Sequence, residues 1–362
     1  MKSGEKMNVP KLRFKEFNDN YLRLKYKDVL KIKSGKDQKQ VECENGIYPI
    51  LGTGGQIGKT NSFLYDKPSV LIGRKGTINK PQYMETPFWT VDTLFYSHIY
   101  EPNIPKYLFY SFQSVNWKKY DESTGVPSLS SSTIEGVDCN IPSKEEQLKV
   151  ANFLSLLDKK IELQSKKIED LKLFKKGLLY NEKRNNNSWY EYKISDIMNI
   201  TRGTVIPKTE ISECINNEFK YPVYSSQTSN NGILGYDNKY DFNGKFLTWT
   251  TDGANAGKVF YREGKFRCTN VCGILYNKDN RYVSELTAEL LNIETPKYVS
   301  YVGNPKLMNN VMSNIIIKLP DPSRDHFFSS ILKIINKKLT IEEERLDKLF
   351  ELKKGLMLNM FV

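Results

Sequence analysis

Apolar residues in the middle of the chain fall at Val150, Leu154, Leu157, Ile161, Ile168, Leu171 and Leu178. Their steps of three, four and seven make a heptad seam. The seam returns 178 residues later at Phe328, Leu332, Ile335, Leu339, Leu346, Leu349 and Leu356. Both copies are broken at matching places, by Gln164 and Lys175 in the first and by Glu342 and Lys353 in the second. The pattern predicts two long helices, over 143–183 and 321–362. Ser143 with Glu146 three residues on reads as a capping box, and Asp321-Pro322 as an N-cap with proline at the first helical position. Matching breaks favour pairing of the helices with each other, antiparallel, over each packing on its own domain or the chain dimerising through them. At roughly 40 residues each would be on the order of 60 Å long.

The segments before each helix alternate differently. Val70-Leu71-Ile72, Thr90 to Tyr100, Phe246 to Trp249 and Val271 to Tyr276 are short β-branched or aromatic runs punctuated by Gly, Pro, Asn and Asp, the signature of strands. Short helices are expected near Pro105 and over Ser284 to Leu291. The repeat extends through these segments. Gly125-Val126-Pro127-Ser128-Leu129 returns as Gly303-Asn304-Pro305-Lys306-Leu307, and Phe174 to Leu178 as Leu352 to Leu356. Upstream the offset is smaller: Ile32 to Gly35 matches Ile200 to Gly203 at 168, and Tyr48-Pro49 matches Tyr221-Pro222 at 173. The second copy therefore carries two insertions, each expected to be five residues. A unit this long is a duplicated domain rather than a solenoid repeat. The fold class is α+β with a pseudo-two-fold internal repeat: two similar, mostly β globular domains (1–142 and 189–320) and a pair of long antiparallel coiled-coil helices, with Asn-rich 184–188 as linker.

Charge narrows the reading. Across 362 residues, 54 Lys and Arg against 42 Asp and Glu leave a net +12, which favours a polyanionic partner, of which nucleic acid is the commonest. The five cysteines lack framework spacing, and the two histidines are far apart in sequence, so reduced thiols and no metal site are expected. No signal region or long apolar run is seen, which points to a cytoplasmic protein off the membrane.

Several loops have the chemistry of phosphate and base readers. In the first copy these are Lys36, Gln38 and Lys39 after Gly35, then Thr53, Gln56, Lys59 and Thr60, and then Arg74, Lys75 and Asn79 after a strand. In the second they are Arg202 and Lys208, Ser225, Ser226, Gln227, Thr228, Asn230 and Asn231, and Thr250, Asp252, Asn255 and Lys258. Arginine forks to guanine edges, Gln and Asn pair with adenine, Lys, Ser and Thr suit phosphate, and glycine permits close approach. Each residue taken alone also fits an ordinary polar loop. Thr53 to Thr60 resembles a phosphate-binding loop, but Thr53 stands where that motif has glycine and no helix of sufficient length follows. No nucleophile elbow, dinucleotide fingerprint or metal-spaced His pair is present, so a binding module is the stronger class. Two other readings stay open: a nucleotide-dependent enzyme or nuclease using Gly52–Thr60, and a coiled-coil protein-binding adaptor.

Taken together, the duplicated domain, the paired helices and these loops resemble the DNA-specificity subunit of type I restriction–modification systems. Val9-Pro10-Lys11-Leu12-Arg13-Phe14, Ile141-Pro142 leading into Glu145-Glu146-Gln147, and Leu157-Asp158-Lys159-Lys160-Ile161 carry the likeness. The second copy departs from it with Arg324-Asp325-His326. The resemblance implies two target-recognition domains, each reading one half of a bipartite, asymmetric double-stranded DNA target, with the helix pair setting the gap. It implies docking of two modification (methyltransferase) subunits and, through them, restriction/translocase subunits. S-adenosylmethionine, ATP and Mg²⁺ would serve those partners, and this chain would be non-catalytic, with no cofactor of its own.

Overall fold

The computed structural model describes residues 9–184, 189–277 and 279–361, so the expected linker falls almost wholly outside the described residues. The long helices span Lys144–Arg184 and Pro322–Met360. The chain divides into two compact units, Met1–Lys166 with Glu344–Val362, and Lys167–Glu343. The division runs through both helices, so each unit holds one β-rich head, the N-terminal part of its own helix and the C-terminal part of the other.

In the first unit, strand Leu22–Lys25 pairs antiparallel with Asp138–Ile141, bringing the two ends of the head together at the start of the long helix. A four-stranded sheet runs in the order Leu30–Lys33, Leu94–Ile99, Ser69–Gly73, Gln82–Met84. Beside it lies a three-stranded sheet of Gly55–Thr60, Tyr48–Gly52 and Trp89–Thr90. Helix Pro105–Ser114 buries Tyr107, Leu108 and Phe112 in the main core. Val150 and Leu154 of the long helix enter the same core, as do Met357 and Met360. A satellite core of Ile50, Leu51, Leu71, Phe88, Val91 and Leu94 underlies the three-stranded sheet.

The second unit repeats this plan. Trp189–Lys193 pairs with Ile316–Pro320, and helix Glu285–Glu294 takes the place of Pro105–Ser114. Its sheet has six strands in the order Asn199–Arg202, Cys272–Tyr276, Phe242–Thr250, Val259–Cys268, Tyr221–Tyr224, Ile233–Asp237. One difference is local. Val259–Cys268 is a continuous strand, whereas its counterpart in the first head is split into Gln82–Met84 and Trp89–Thr90. Pro87 lies in the gap, and a proline cannot donate to a strand ladder.

The helix pairing is antiparallel within each unit. In the second, Lys167 meets Glu342 at 2.7 Å and Lys175 meets Asn336 at 3.0 Å, rising numbers on one helix against falling numbers on the other. Lys175 also meets Glu289 of the short helix at 2.8 Å. In the first unit Lys353 meets Asp158 at 2.6 Å and lies over the Tyr110 ring, whose hydroxyl donates to Asp158 at 2.8 Å. Lys175 and Lys353 are 178 apart, and so are Asp158 and Asn336. The breaks at Lys175, Glu342 and Lys353 are thus polar junctions between helix and helix and between helix and head, the kind of polar contact that selects one register over its neighbours.

Of the seam residues, Val150, Leu154, Leu157, Ile161, Ile168, Phe328, Leu332, Ile335 and Leu339 are buried. Leu171, Leu178, Leu346, Leu349 and Leu356 are half-buried, and near the far ends Leu179 and Met357 take the buried places. A 3.6-residue helix drifts from a heptad by about 20° per repeat, which rotates the buried stripe by a position over this length. The predicted capping box forms by half. Ser143 Oγ accepts the Glu146 N–H at 3.3 Å, but the Glu146 carboxylate turns to Arg13, at 2.8 and 2.7 Å, and to the Tyr21 hydroxyl at 2.9 Å.

Candidate nucleic-acid interface

The central strand of each head ends in a loop held by a backbone brace. Ser69–Gly73 is buried throughout, so the chain leaves the core only at Arg74. Gly73 is required there, because a Cβ would stand 2.4 Å from the Thr77 carbonyl. The Arg74 N–H donates to Thr93 O at 2.8 Å, and its carbonyl accepts from Leu129 N at 2.9 Å. Gly76, at φ +93°, donates to Pro127 O at 2.8 Å. The second head repeats each bond: Thr251 N to Val271 O at 3.1 Å, Leu307 N to Thr251 O at 2.9 Å, and Gly253 N, at φ +95°, to Pro305 O at 2.9 Å. The Gly-x-Pro-x-Leu segments therefore hold the loop from both sides.

On this common backbone the side chains differ. Arg74 and Lys75 are exposed, and among the described residues neither has a carboxylate partner; Arg74 makes one long contact, 3.5 Å to Asp92 O. At the matching places Thr251 is fully buried, and Asp252 accepts its hydroxyl at 2.6 Å while facing Lys306 at 4.0 Å. The first head offers two free cations where the second offers a paired acid.

The second difference is at the hairpin beside this loop. In the first head Ile50 pairs with Gly58 and Leu51 with Gln56; in the second Val223 pairs with Gly235 and Tyr224 with Ile233. The same bulge is present in both. Between Leu51 and Gln56 the tip is four residues, Gly52 to Gly55, whose ends also pair with each other, and between Tyr224 and Ile233 it is eight, Ser225 to Gly232. The expected second insertion of five is thus four residues here. The remaining one falls after Gly76, since Gly253 lies 177 further on while Pro127 and Pro305 are 178 apart. In the first head the tip and the braced loop converge: Thr53 Oγ1 is 3.6 Å from where a Cβ on Gly76 would stand.

The hairpin also decides the glycine-rich segment. Gly55–Thr60 is an extended strand turning back on Tyr48–Gly52. Among the described residues the segment opens no helix, so the phosphate-loop resemblance has no structural counterpart.

The long tip of the second head is closed by hydrogen bonds across its base. Ser225 N donates to Gly232 O at 3.1 Å, and Gln227 Nε2 donates to Ile233 O. Asn230, Asn231 and Gly232 are all left-handed, at φ +47°, +50° and +80°. Ser226 and Thr228 are half-buried, Asn230 and Asn231 exposed, and Ser225 accepts from the Thr269 hydroxyl at 3.0 Å.

Other predicted residues divide. Gln56, Lys59, Lys36, Lys39, Lys208 and Asn255 are exposed, with Gln38 and Arg202 half-buried. Gln56 Nε2 donates to Gly58 O at 3.2 Å, and the Lys36 carbonyl accepts from the Trp89 indole at 3.0 Å. Thr60 and Thr250 are corrections. Both are buried and serve the backbone: Thr60 accepts from Ser62 N at 3.0 Å, and Thr250 donates to Asn255 O and accepts from Lys258 N at 3.2 Å. Asn79 lies apart from the tip, lining a groove of about 570 Å³ with Gln113, Phe350 and Met357. Lys258 is exposed; desolvation by its surroundings holds its ammonium below the ordinary range, with Glu289 and Glu343 opposing and Lys175 and Lys172 adding to it.

One residue of the second head carried no signal in the sequence. Arg262 is 4% exposed, with its guanidinium 3.7 Å from the Tyr224 ring centre and 4.4 Å from that of Phe260. Nε donates to Thr248 Oγ1 at 3.2 Å. Burial pushes this guanidinium below the usual arginine range, with Tyr224 opposing.

Two heads of one topology, each with a braced loop and a variable hairpin tip, on paired helices define a duplicated recognition protein. The family model described as "Type I restriction modification DNA specificity domain" matches twice, over residues 18–173 and 186–351. The chain belongs to this family, and its heads are target-recognition domains.

Among relatives, a Mycoplasma pneumoniae protein provisionally named the N-terminus of a type I specificity subunit is 47% identical over 125 residues, 34% of this chain and 65% of that protein. The specificity subunit of the type I restriction enzyme MpnII, from the same organism, is 42% identical over 130 residues, 36% of this chain and 38% of that protein. The match spans less than two thirds of either relative. In fold the chain is similar to the crystal structure of a type I restriction-modification S subunit from M. genitalium, with a TM-score of 0.78 at 16% identity, covering 98% of this chain and 99% of that one.

Proposed function

We propose that this chain is the non-catalytic DNA-specificity subunit of a type I restriction–modification complex, each head reading one half of a bipartite, asymmetric duplex. The observation that carries this reading is the braced loop. One backbone scaffold, hydrogen bond for hydrogen bond, presents exposed Arg74 and Lys75 in the first head and Thr251 and Asp252 in the second. A scaffold kept twice under different side chains fits two readers of different sequence. The net charge of +12 supports a nucleic-acid partner.

In this mechanism Arg74 and Lys75 with the Thr53 tip approach one half-site, and Gln227, Asn230 and Asn231 the other. Base edges give selectivity, and phosphate contacts from surrounding lysines fix orientation. The long helices set the gap between halves, and their polar junctions hold the register that defines it. Two modification subunits dock on the helices, with restriction subunits bound through them. Methyl transfer from S-adenosylmethionine and ATP-driven translocation belong to those partners.

Selection from a random duplex library tests the reading. The chain, with its modification partner if needed for solubility, should enrich a sequence in two parts with a constant gap, with affinity falling steeply as salt rises. Enrichment of no sequence, or of a single uninterrupted one, would overturn it.

A further inference from the structure

We infer that Arg262 is the positioning residue of the second head, holding the Ser225–Gly232 tip in the conformation that reads its half-site. The inference rests on the proposed function and goes beyond it by locating what gives the second head a different specificity from the first.

Arg262 sits where a charge is out of place. It is 4% exposed, and among the described residues it has no carboxylate partner. A buried cation without a counter-ion is expensive. The fold does not need one at this position. Arg262 pairs across the sheet with Phe246, and Met84 pairs with Ser69. Ser69 and Phe246 are equivalent, because each lies four residues before the end of its strand, at Gly73 and Thr250, where the braced loop begins. Met84 is thus the first head's residue at the Arg262 place, and it packs on the satellite core. The same backbone is filled without charge in one head and with charge in the other.

What accompanies the charge is the longer tip. Tyr224, under the guanidinium, pairs with Ile233 just before the tip, and Leu51, paired with Gln56, holds that place in the first head. Gly232 closes the tip at φ +80°, and a Cβ there would lie 2.8 Å from Arg262 Nη2 and 3.3 Å from the Gln227 carbonyl. The guanidinium therefore bridges the two ends of the eight-residue loop, over the ring that precedes it and against the glycine that closes it. Stacking of this kind needs the planar fork of arginine, which lysine lacks. In the first head the four-residue tip is held instead by Gln82, whose Nε2 donates to Gly52 O at 2.8 Å. Gln82 and Phe260 are equivalent, opposite Leu71 and Thr248. Tip length and the residues beneath it differ together.

The test is library selection with Arg262→Met and Arg262→Lys, hydrogen exchange reporting whether the second head stays folded. Arg262→Met should remain folded, since methionine fills this place in the first head. It should select the first half-site unchanged and lose discrimination at the second by about tenfold or more. Tip amides should lose exchange protection while the Phe242–Thr250 strand keeps its own. Arg262→Lys keeps the charge without the stack, and should recover less than half of the lost discrimination. If Arg262→Met unfolds the head, the pair Arg262→Met with Tyr224→Leu, which installs the first head's residues at both places, is read by the same criterion. A folded variant that selects both halves as the parent does overturns the inference and leaves the proposed function standing. A parent that selects no two-part sequence overturns the proposed function itself.

Discussion

The first head turns its hairpin in four residues over Gln82 and Met84, and the second turns its own in eight over Phe260 and Arg262. Much of the backbone around the tips is alike: the bulge before them, the braces of the loop beside them, and the strand pair that closes each head onto its helix. The lesson is one of placement. Divergence is tolerated where a loop leaves a finished sheet, because backbone hydrogen bonds are satisfied behind it and an insertion adds only a modest closure entropy. The heads also differ at the base of their helices. The first seats Glu146 and Gln147 there, where the second has Arg324 and Asp325.

The base of the helix should give the largest effect. Glu146 is 1% exposed, and Arg13 supplies two of its bonds. Arg13→Ala leaves a buried carboxylate short of its cation and should destabilise the first unit by about 3–5 kcal/mol, leaving the second unit's unfolding unchanged. Calorimetry resolving the two transitions reads this, and equal loss in both would break the comparison.

Asp325 has the opposite sign. Burial raises its carboxyl to about 6 from the ordinary 3.8, despite the Ser284 hydroxyl donating at 2.9 Å. A folded value above the unfolded one means the ionised form is disfavoured in the fold. The cost is absent below about pH 4, grows between pH 4 and 6, and is complete above. Asp325→Asn should therefore stabilise the second unit at pH 7–8 by up to about 3 kcal/mol, a gain that fades toward pH 4. Thermal midpoints across pH 4–8 measure it, and a pH-independent difference would show the burial to be inconsequential.

A graft addresses the tips directly. Replacing Ser225–Gly232 with Gly52–Gly55 should preserve folding and the first half-site, and weaken recognition of the second by about a hundredfold, the loss of two or so base contacts. Retained selectivity in both halves would place second-head reading elsewhere. Smallest, Arg74→Ala should relax the first half-site by about 1–3 kcal/mol. Thr251→Ala, at the matching but buried place, should leave the second half-site alone. Competition binding against single-base variants distinguishes them.

Periodicity and self-comparison carried much of the architecture. The long helices, their matched breaks, four of the strands and the short helices near Pro105 and Ser284 are legible because each follows from local spacing. The expected capping box was legible only in part, since the partner of Glu146 lies 133 residues away in Arg13. Among the candidate readers, Arg74 and Lys75 fell where a buried strand ends, which sequence shows well. Thr60 and Thr250 did not, because their burial depends on which face of a sheet another sheet or loop covers.

Sequence alone determined that this protein is duplicated, that paired helices recur at a constant offset, and that the variable residues lie between conserved ends. These are statements about period, and period survives without knowledge of contacts. Tertiary structure decided which loops meet, which hydroxyls are buried, and that the glycine-rich segment is a hairpin rather than a phosphate cradle. It also decided that Arg262 lies beneath the second tip. Nothing in Val259-Phe260-Tyr261-Arg262 marks the arginine as buried, for besides the neighbouring Phe260 it takes the Tyr224 ring and Gly232 from elsewhere in the chain to enclose it.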